Sequence, residues 1–302
     1  MKKVLITGGS GFIGQSVCAE CERQGVDYLP LVNSHSAGIK NARQVNLLNA
    51  EEIKNVIVDY RPDAIVHLAA IASPVHNDIA EVYRVNVGGT ENLLNAASEV
   101  LEPANRVILI STAGVYGNQT TELMDESLPF NPINHYSYSK MITEIMSRQY
   151  ADKLDIHIVR PFNIIGCGQK ENFFVPKLVK HFVNRAEEIQ LGNLDAVRDY
   201  VAVEFCAKVL LKLATEGGEM PSVLNICSGV GNSCQQVIDL LVDLTGYSPK
   251  IVTTSSFARS NEIWRLVGDP TAVNNLVNGE YSTPDLRTIL KDMLESYRES
   301  VQ

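Results

Sequence analysis

Tyr136 and Lys140 stand four residues apart in the run Tyr136-Ser137-Tyr138-Ser139-Lys140, at the start of a predicted helix. That spacing puts both side chains on one helical face. A phenol with a pKa near 10 is a poor general base at neutral pH, and a neighbouring ammonium stabilises its phenolate. The chemistry on offer is proton transfer to or from an oxygen. Tyrosine and lysine four apart also arise by chance on a solvated helix, so the pair draws meaning from its surroundings. Upstream, Ile110-Ser111-Thr112-Ala113-Gly114-Val115-Tyr116-Gly117 ends a predicted strand. It delivers hydroxyls to a sheet edge, where open α/β folds place their sites.

A second constellation sits at the N-terminus, where Gly8, Gly11 and Gly14 of Thr7–Gly14 lie between a buried strand and an amphipathic helix. Such glycines permit a tight turn and let backbone N–H groups approach a pyrophosphate at the positive helix end. Gly14 would let helix and strand pack closely. Dinucleotide sites usually carry an acid after the second strand to hold the adenosine ribose diol. Here the stretch reads Leu31-Val32-Asn33-Ser34-His35-Ser36, without an acid. A carboxylate would repel a 2′-phosphate, whereas Asn33, Ser34 and His35 could donate hydrogen bonds to one. NADP(H) is therefore the favoured cofactor and NAD(H) the alternative; a plain polar loop is the competing account.

The elements that must position these groups are readable in the first half. Strands are predicted at Val4–Thr7, Tyr28–Val32, Ala64–Ala69, Arg106–Ser111 and Ile156–Arg160, and helices to about Gln24 and over Glu51–Tyr60, Glu81–Ala97 and Ser139–Ala151. Continuous apolar strands alternating with helices indicate a doubly wound parallel sheet, a Rossmann-type α/β fold. The second half loses that rhythm between Gly166 and Val197. Helices are expected around Pro176–Val183 and over Glu204–Ala214, Cys234–Leu244 and Thr283–Arg298, with strands at Leu224–Ile226 and Pro249–Thr254. We expect residues 1–165 to form the dinucleotide-binding unit and 166–302 mainly a smaller mixed α/β substrate-binding unit. Segments near 199–228 would return to the first.

Composition excludes several classes. A formal charge of −9 argues against a general nucleic-acid or anionic-membrane surface. No apolar run reaches the roughly 20 residues of a spanning helix. Glycines interrupt the apolar start at once, so a cytoplasmic enzyme is expected. Cys18 and Cys21 have CxxC spacing but no second ligand pair at zinc-site distance, and read as small packing residues with no metal. His67 and His76 read as structural or solvated.

Thr7–Gly14, His67-Leu68-Ala69-Ala70, Asn86-Val87-Gly88-Gly89-Thr90, Ser111–Gly117, Tyr136–Lys140 and Arg160-Pro161-Phe162-Asn163 occur in the order seen in extended short-chain dehydrogenases/reductases. The chain resembles that family, the NAD(P)-dependent nucleotide-sugar epimerases, dehydratases and reductases, over nearly its whole length. Leu191–Val201, Leu224–Gly229 and Val267-Gly268-Asp269 look most like the GDP-4-keto-6-deoxymannose reductase branch. The resemblance implies a catalytic triad of Thr112, Tyr136 and Lys140, with Lys140 also holding the nicotinamide ribose. It implies cofactor contacts from Gly8, Ser10, Gly11, Phe12, Ile13, Gly14, Asn33, Ser34, Asn46, Leu47, Leu68, Ala69, Ala70, Asn86, Pro161 and Asn163, besides Tyr136 and Lys140. It also implies a homodimer paired through the helices predicted at Glu81–Ala97 and Ser139–Ala151. Arg198 and Arg259 fall near the substrate nucleotide in that resemblance, and a guanidinium fork suits a diphosphate. Ion pairs, for example with Asp199 or Glu262, are the structural alternative for both arginines. Asn172 is a further candidate substrate contact, and Thr112 would touch the substrate as well.

Dehydratases of the group carry an acid directly before the hydrophobic-Tyr-Gly; Ala113 and Gly114 occupy those two positions here and transfer no proton. The leading expectation is NADPH-dependent reduction of the C4 ketone of a nucleotide-linked 4-keto-6-deoxyhexose. A 4-epimerase with tightly bound NAD is the alternative, and a non-catalytic dinucleotide-binding protein the third.

Overall fold

The computed structural model describes residues 2–33, 39–72, 76–253 and 262–301. Strands β1 (Lys3–Thr7), β2 (Asp27–Val32), β3 (Arg43–Gln44), β4 (Ala64–His67), β5 (Arg106–Ile110) and β6 (Asp155–Pro161) supply six members of the main sheet. They are linked by helices α1 (Phe12–Gln24), α2 (Ala50–Tyr60), α3 (Ile79–Tyr83), α4 (Gly89–Val100) and α5 (His135–Ser147). β4 and β5 are buried along their whole length, as strands covered on both faces must be. The remaining strands are β7 (Asn163–Ile165), β8 (Glu188–Leu191), β9 (Val197–Ala202), β10 (Val223–Ile226), β11 (Gly231–Ser233), β12 (Lys250–Thr253) and β13 (Arg265–Leu266). Five helices accompany them: α6 (Phe174–Val183), α7 (Val203–Thr215), α8 (Cys234–Thr245), α9 (Thr271–Val277) and α10 (Leu286–Val301).

The main sheet has seven parallel strands in the order β10-β6-β5-β4-β1-β2-β3, the doubly wound arrangement expected from the apolar runs. Its last strand, β10, comes from late in the chain, and α7 packs on α1. Smaller sheets join β7, β9, β11 and β13, and pair β8 with β12. One core cluster lies between the sheet and α1 and α7 and runs on into α6, α8 and α10; a second lies under α2 and α4.

Two helix readings are corrected. The predicted helix 81–97 is α3 and α4 joined by a π-helical turn over Arg84–Gly88, a feature that commonly marks functional sites. The predicted helix 139–151 begins earlier, at His135: Asn134 accepts from Ser137 N at 2.9 Å and caps it, so Tyr136 lies in the first turn. The short strands β7, β9, β11 and β13 lie in stretches where no strand is expected from the sequence.

Candidate active site

The turn after β1 is built by steric necessity. Gly8 adopts the left-handed region (φ +70°), and a Cβ there would lie 2.8 Å from Ala69 N. A Cβ on Gly14 would lie 2.2 Å from the Gly8 carbonyl oxygen, so α1 reaches the turn only without one. The N-terminus of α1 has no capping side chain and no acid in its first turn, leaving a positive helix end suited to a phosphate. These features fit a dinucleotide.

A groove of about 490 Å³ opens beside this turn, within the range of small-molecule sites. Gly8, Ser10, Gly11, Asn33, Asn46, Leu47, Leu68, Ala69 and Ala70 line it together, along with Thr7 and Val32 of the same two stretches and with Val45, Ile71, Glu81 and Val85, which were not singled out as cofactor contacts. Phe12 and Ile13 instead pack on the core, and Gly14 lies behind the turn. Ser34 and His35, like Arg259, lie outside the described residues. Cys18 and Cys21 are buried in α1, and burial pushes both thiols up to about 12.

The groove floor continues as a chain of hydrogen bonds. His67 bridges Thr7 Oγ1 at 2.7 Å and Thr90 Oγ1 at 2.9 Å. Burial, with a smaller contribution from Lys140, pulls its pKa down to about 3, so the imidazole is neutral. Thr90 donates to the Asn86 carbonyl at 2.6 Å. From the π turn, the Asn86 amide accepts from Ile71 N at 2.8 Å and donates to Ser139 Oγ at 2.9 Å. Ser139 in turn donates to the Tyr136 carbonyl at 2.7 Å. The strand end beside the groove is thereby tied to the helix carrying Tyr136.

At the C-terminal edge of β5, the chain turns through extended Thr112 into a 3-10 turn over Ala113–Tyr116. Of the two adjacent hydroxyls, Thr112 hydrogen-bonds the Tyr136 phenol, while Ser111 donates to Glu144. Burial pushes Tyr136 up to about 12, against the pull of the Thr112 hydrogen bond. Lys140 is 3% exposed and donates from Nζ to the Ile110 carbonyl at 2.7 Å. Burial lowers its pKa to about 8, with the Glu144 carboxylate pulling it back up. Gly114 faces Ser137: a Cβ there would lie 2.5 Å from Ser137 Oγ. The approach of α5 thus leaves no room for a side chain at Gly114. Glu126 accepts from Asn225 N at 2.8 Å and Asp125 from Ser127 N at 2.8 Å, so both loop carboxylates are engaged with backbone.

The second half presents its residues less compactly. Pro161 ends β6, and Asn163 opens β7 with a buried Oδ1 that has no protein partner, a group suited to a ligand donor. Asn172 is exposed in the turn before α6. Arg198, on β9, donates from Nη1 to the Val197 carbonyl at 2.9 Å and stands 4.0 Å from Glu262. Asp199 is not its partner. That carboxylate is fully buried and accepts from Ser228 N (2.9 Å), Ser228 Oγ (2.6 Å), Gly229 N (2.9 Å) and Gly268 N (3.2 Å). Alternation along a strand sends the two side chains to opposite faces. Sequence reasoning also passed over Glu144, Tyr116, Asn225 and the guanidinium of Arg160, which form a buried polar network behind Lys140.

A doubly wound sheet with a glycine turn, a groove beside it and a tyrosine-threonine-lysine group at its C-terminal edge defines an oxidoreductase of the extended short-chain type. The chain belongs to the NAD dependent epimerase/dehydratase family, whose model matches residues 4–227. It is 36% identical to a GDP-6-deoxy-D-talose 4-dehydrogenase of Aggregatibacter actinomycetemcomitans, with 97% of each chain covered. It is 26% identical to a GDP-6-deoxy-D-mannose reductase of Pseudomonas aeruginosa, with 99% of each covered. A crystal structure from Burkholderia cenocepacia J2315, whose epimerase assignment is itself provisional, superposes with a TM-score of 0.89 at 34% identity, covering 99% of this chain and 98% of that one. Among the described residues no helix is long and apolar enough to cross a membrane.

Proposed function

We propose that the protein interconverts the C4 ketone and alcohol of a nucleotide-linked 6-deoxyhexose, with NADPH-dependent reduction as the physiological direction. The observation that carries the reading is Tyr136 paired with Thr112 beside buried Lys140, with Gly114 pressed against Ser137 where an eliminating acid would stand. A nicotinamide dinucleotide held by the glycine turn and the residues lining the groove would supply the hydride chemistry at C4. Tyr136, held protonated at neutral pH, gives its proton to the C4 oxygen, and Thr112 donates to that oxygen as negative charge builds. Lys140, fixed on the Ile110 carbonyl, would hold the nicotinamide ribose and favour the phenolate left behind. In the oxidative direction the same groups remove the proton. Elimination of water needs a further group to protonate the departing hydroxyl, and the engagement of Asp125 and Glu126 with backbone supports its absence.

The names of the two relatives favour a GDP-linked sugar. Mannose and talose differ only at C4, so a dehydrogenase of the one 6-deoxy sugar and a reductase yielding the other act at one carbon. Arg198 and Arg259 would hold the diphosphate and Asn172 would contact the same ligand. We assign residues 1–165 to cofactor binding and residues 166–302 mainly to the sugar nucleotide. Exposed Ile79, Tyr138 and Ile145 on α3 and α5 support pairing of two copies through those helices. The deciding experiment is NADPH oxidation against GDP-, dTDP-, UDP- and CDP-linked 4-keto-6-deoxy sugars, with mass spectrometry of the products. A gain of two hydrogens is expected. Loss of water from an intact nucleotide hexose, or inversion at C4 without net NADPH use, would overturn the reading.

A further inference from the structure

We propose that Glu144 is the positioning residue behind Lys140: its carboxylate, gripped by Arg160 and Ser111, keeps the buried ammonium charged. The inference rests on the role given to Lys140 above. Glu144 follows Lys140 by four residues on α5, one helical turn on the same face, and is 4% exposed. Arg160 binds it through Nη2 at 2.7 Å and through Nε at 3.1 and 3.2 Å, and the Ser111 hydroxyl donates to it from the strand end that presents Thr112. Arg160 is itself held, donating from Nη1 to Tyr116 Oη at 2.9 Å and to the Glu126 carbonyl at 3.2 Å. Tyr116 donates onward to Asn225 Oδ1 at 2.7 Å.

Stability alone does not call for this arrangement. A buried ion pair loses in desolvation much of what it gains in attraction, and a well-packed apolar pair often serves as well. The reason for a charge here lies in the groups around Lys140. From β4, His67 faces it as a neutral imidazole, and from α5 itself Tyr136 is a neutral phenol. Arg160, arriving from β6, is a second cation whose charge Glu144 answers. Glu144 is thus the anion that offsets burial at Lys140, whose Nζ is otherwise tied to the neutral Ile110 carbonyl.

The test titrates Lys140 directly, by NMR of the purified protein carrying lysine labelled at the ε-carbon, with the signal assigned through Lys140→Met. A wild-type midpoint near 8 is expected. Glu144→Gln should lower it by about one unit or more, the scale of a lost neighbouring charge, and Glu144→Asp should lower it less. Glu144→Gln leaves the buried Arg160 charge without its counter-ion, and where that variant does not fold, the double variant Glu144→Gln/Arg160→Gln removes both charges and should still lower the midpoint. In the turnover profile, the alkaline limb should move with the NMR midpoint. An unmoved midpoint in a folded variant, or an equal loss of turnover at every pH, would reduce Glu144 to a structural residue. Because the titration uses no sugar, failure to reduce any keto sugar would sink the proposed activity and leave this result standing.

Discussion

The glycine turn after β1 and the Asp199 clasp both fix backbone at the C-terminal edges of strands, and they do so by opposite means. The turn works because side chains are missing: one added carbon at Gly14 would meet the Gly8 carbonyl at 2.2 Å. The clasp works because one side chain is present. Asp199 gathers the backbone N–H groups of Ser228, Gly229 and Gly268, the last 69 residues away in sequence. The first device is local and spelled out within eight residues. The second is written across three segments, and none of them reveals it alone. The turn should therefore fail when something is added, and the clasp when something is taken away.

The largest effect is expected at Tyr136, which belongs to neither device. Removing its hydroxyl touches neither device, so Tyr136→Phe should bind cofactor and melt like wild type while turnover falls by roughly 100-fold or more. Near wild-type turnover would remove the phenol from the chemistry. Asp199→Asn comes next. Its amide nitrogen would confront either the Ser228 or the Gly229 and Gly268 donors, and burial allows no water in compensation. A loss of about 2–3 kcal/mol is expected in denaturant titration, with cofactor affinity nearly unchanged. Gly14→Ala should differ in the cofactor, with overpacking of about 1–3 kcal/mol felt at the turn and cofactor affinity reduced tenfold or more. If both variants lost stability and cofactor binding alike, the contrast between the two devices would collapse.

The same contrast explains what was legible beforehand. Buried runs such as Ala64–His67 disclosed the sheet because apolar continuity is a local property, and the glycine spacing disclosed the turn for the same reason. β9 and β11 pair in a small sheet whose partners lie far away in sequence, and their short, half-polar stretches carry no period. The early start of α5 is legible from Asn134, a favoured cap, and from the shared helical face of Tyr136 and Lys140, although the helix bounds expected from the sequence begin only at Ser139. Glu144 gave no sign at all. Its partners Arg160 and Ser111 lie 16 and 33 residues away, and only folding brings them together.

The smallest effect is expected at Asn33, on the groove beside the glycine turn and apart from the Asp199 clasp. Asn33 follows β2 and lines the groove, with its carbonyl accepting from Gln44 Nε2 at 3.2 Å and its side chain on the exposed side. A carboxylate there would accept from the two hydroxyls of an adenosine ribose and repel a 2′-phosphate. Screening at an exposed site keeps the change modest, on the order of 1 kcal/mol or about fivefold in relative affinity. Asn33→Asp should accordingly weaken NADPH and strengthen NADH, leaving turnover with saturating cofactor close to wild type. Calorimetric titration of both cofactors against both proteins checks this. A wild-type preference for NADH would refute the NADPH assignment. A preference for NADPH that Asn33→Asp leaves unchanged would move the selecting contacts to other residues of the groove.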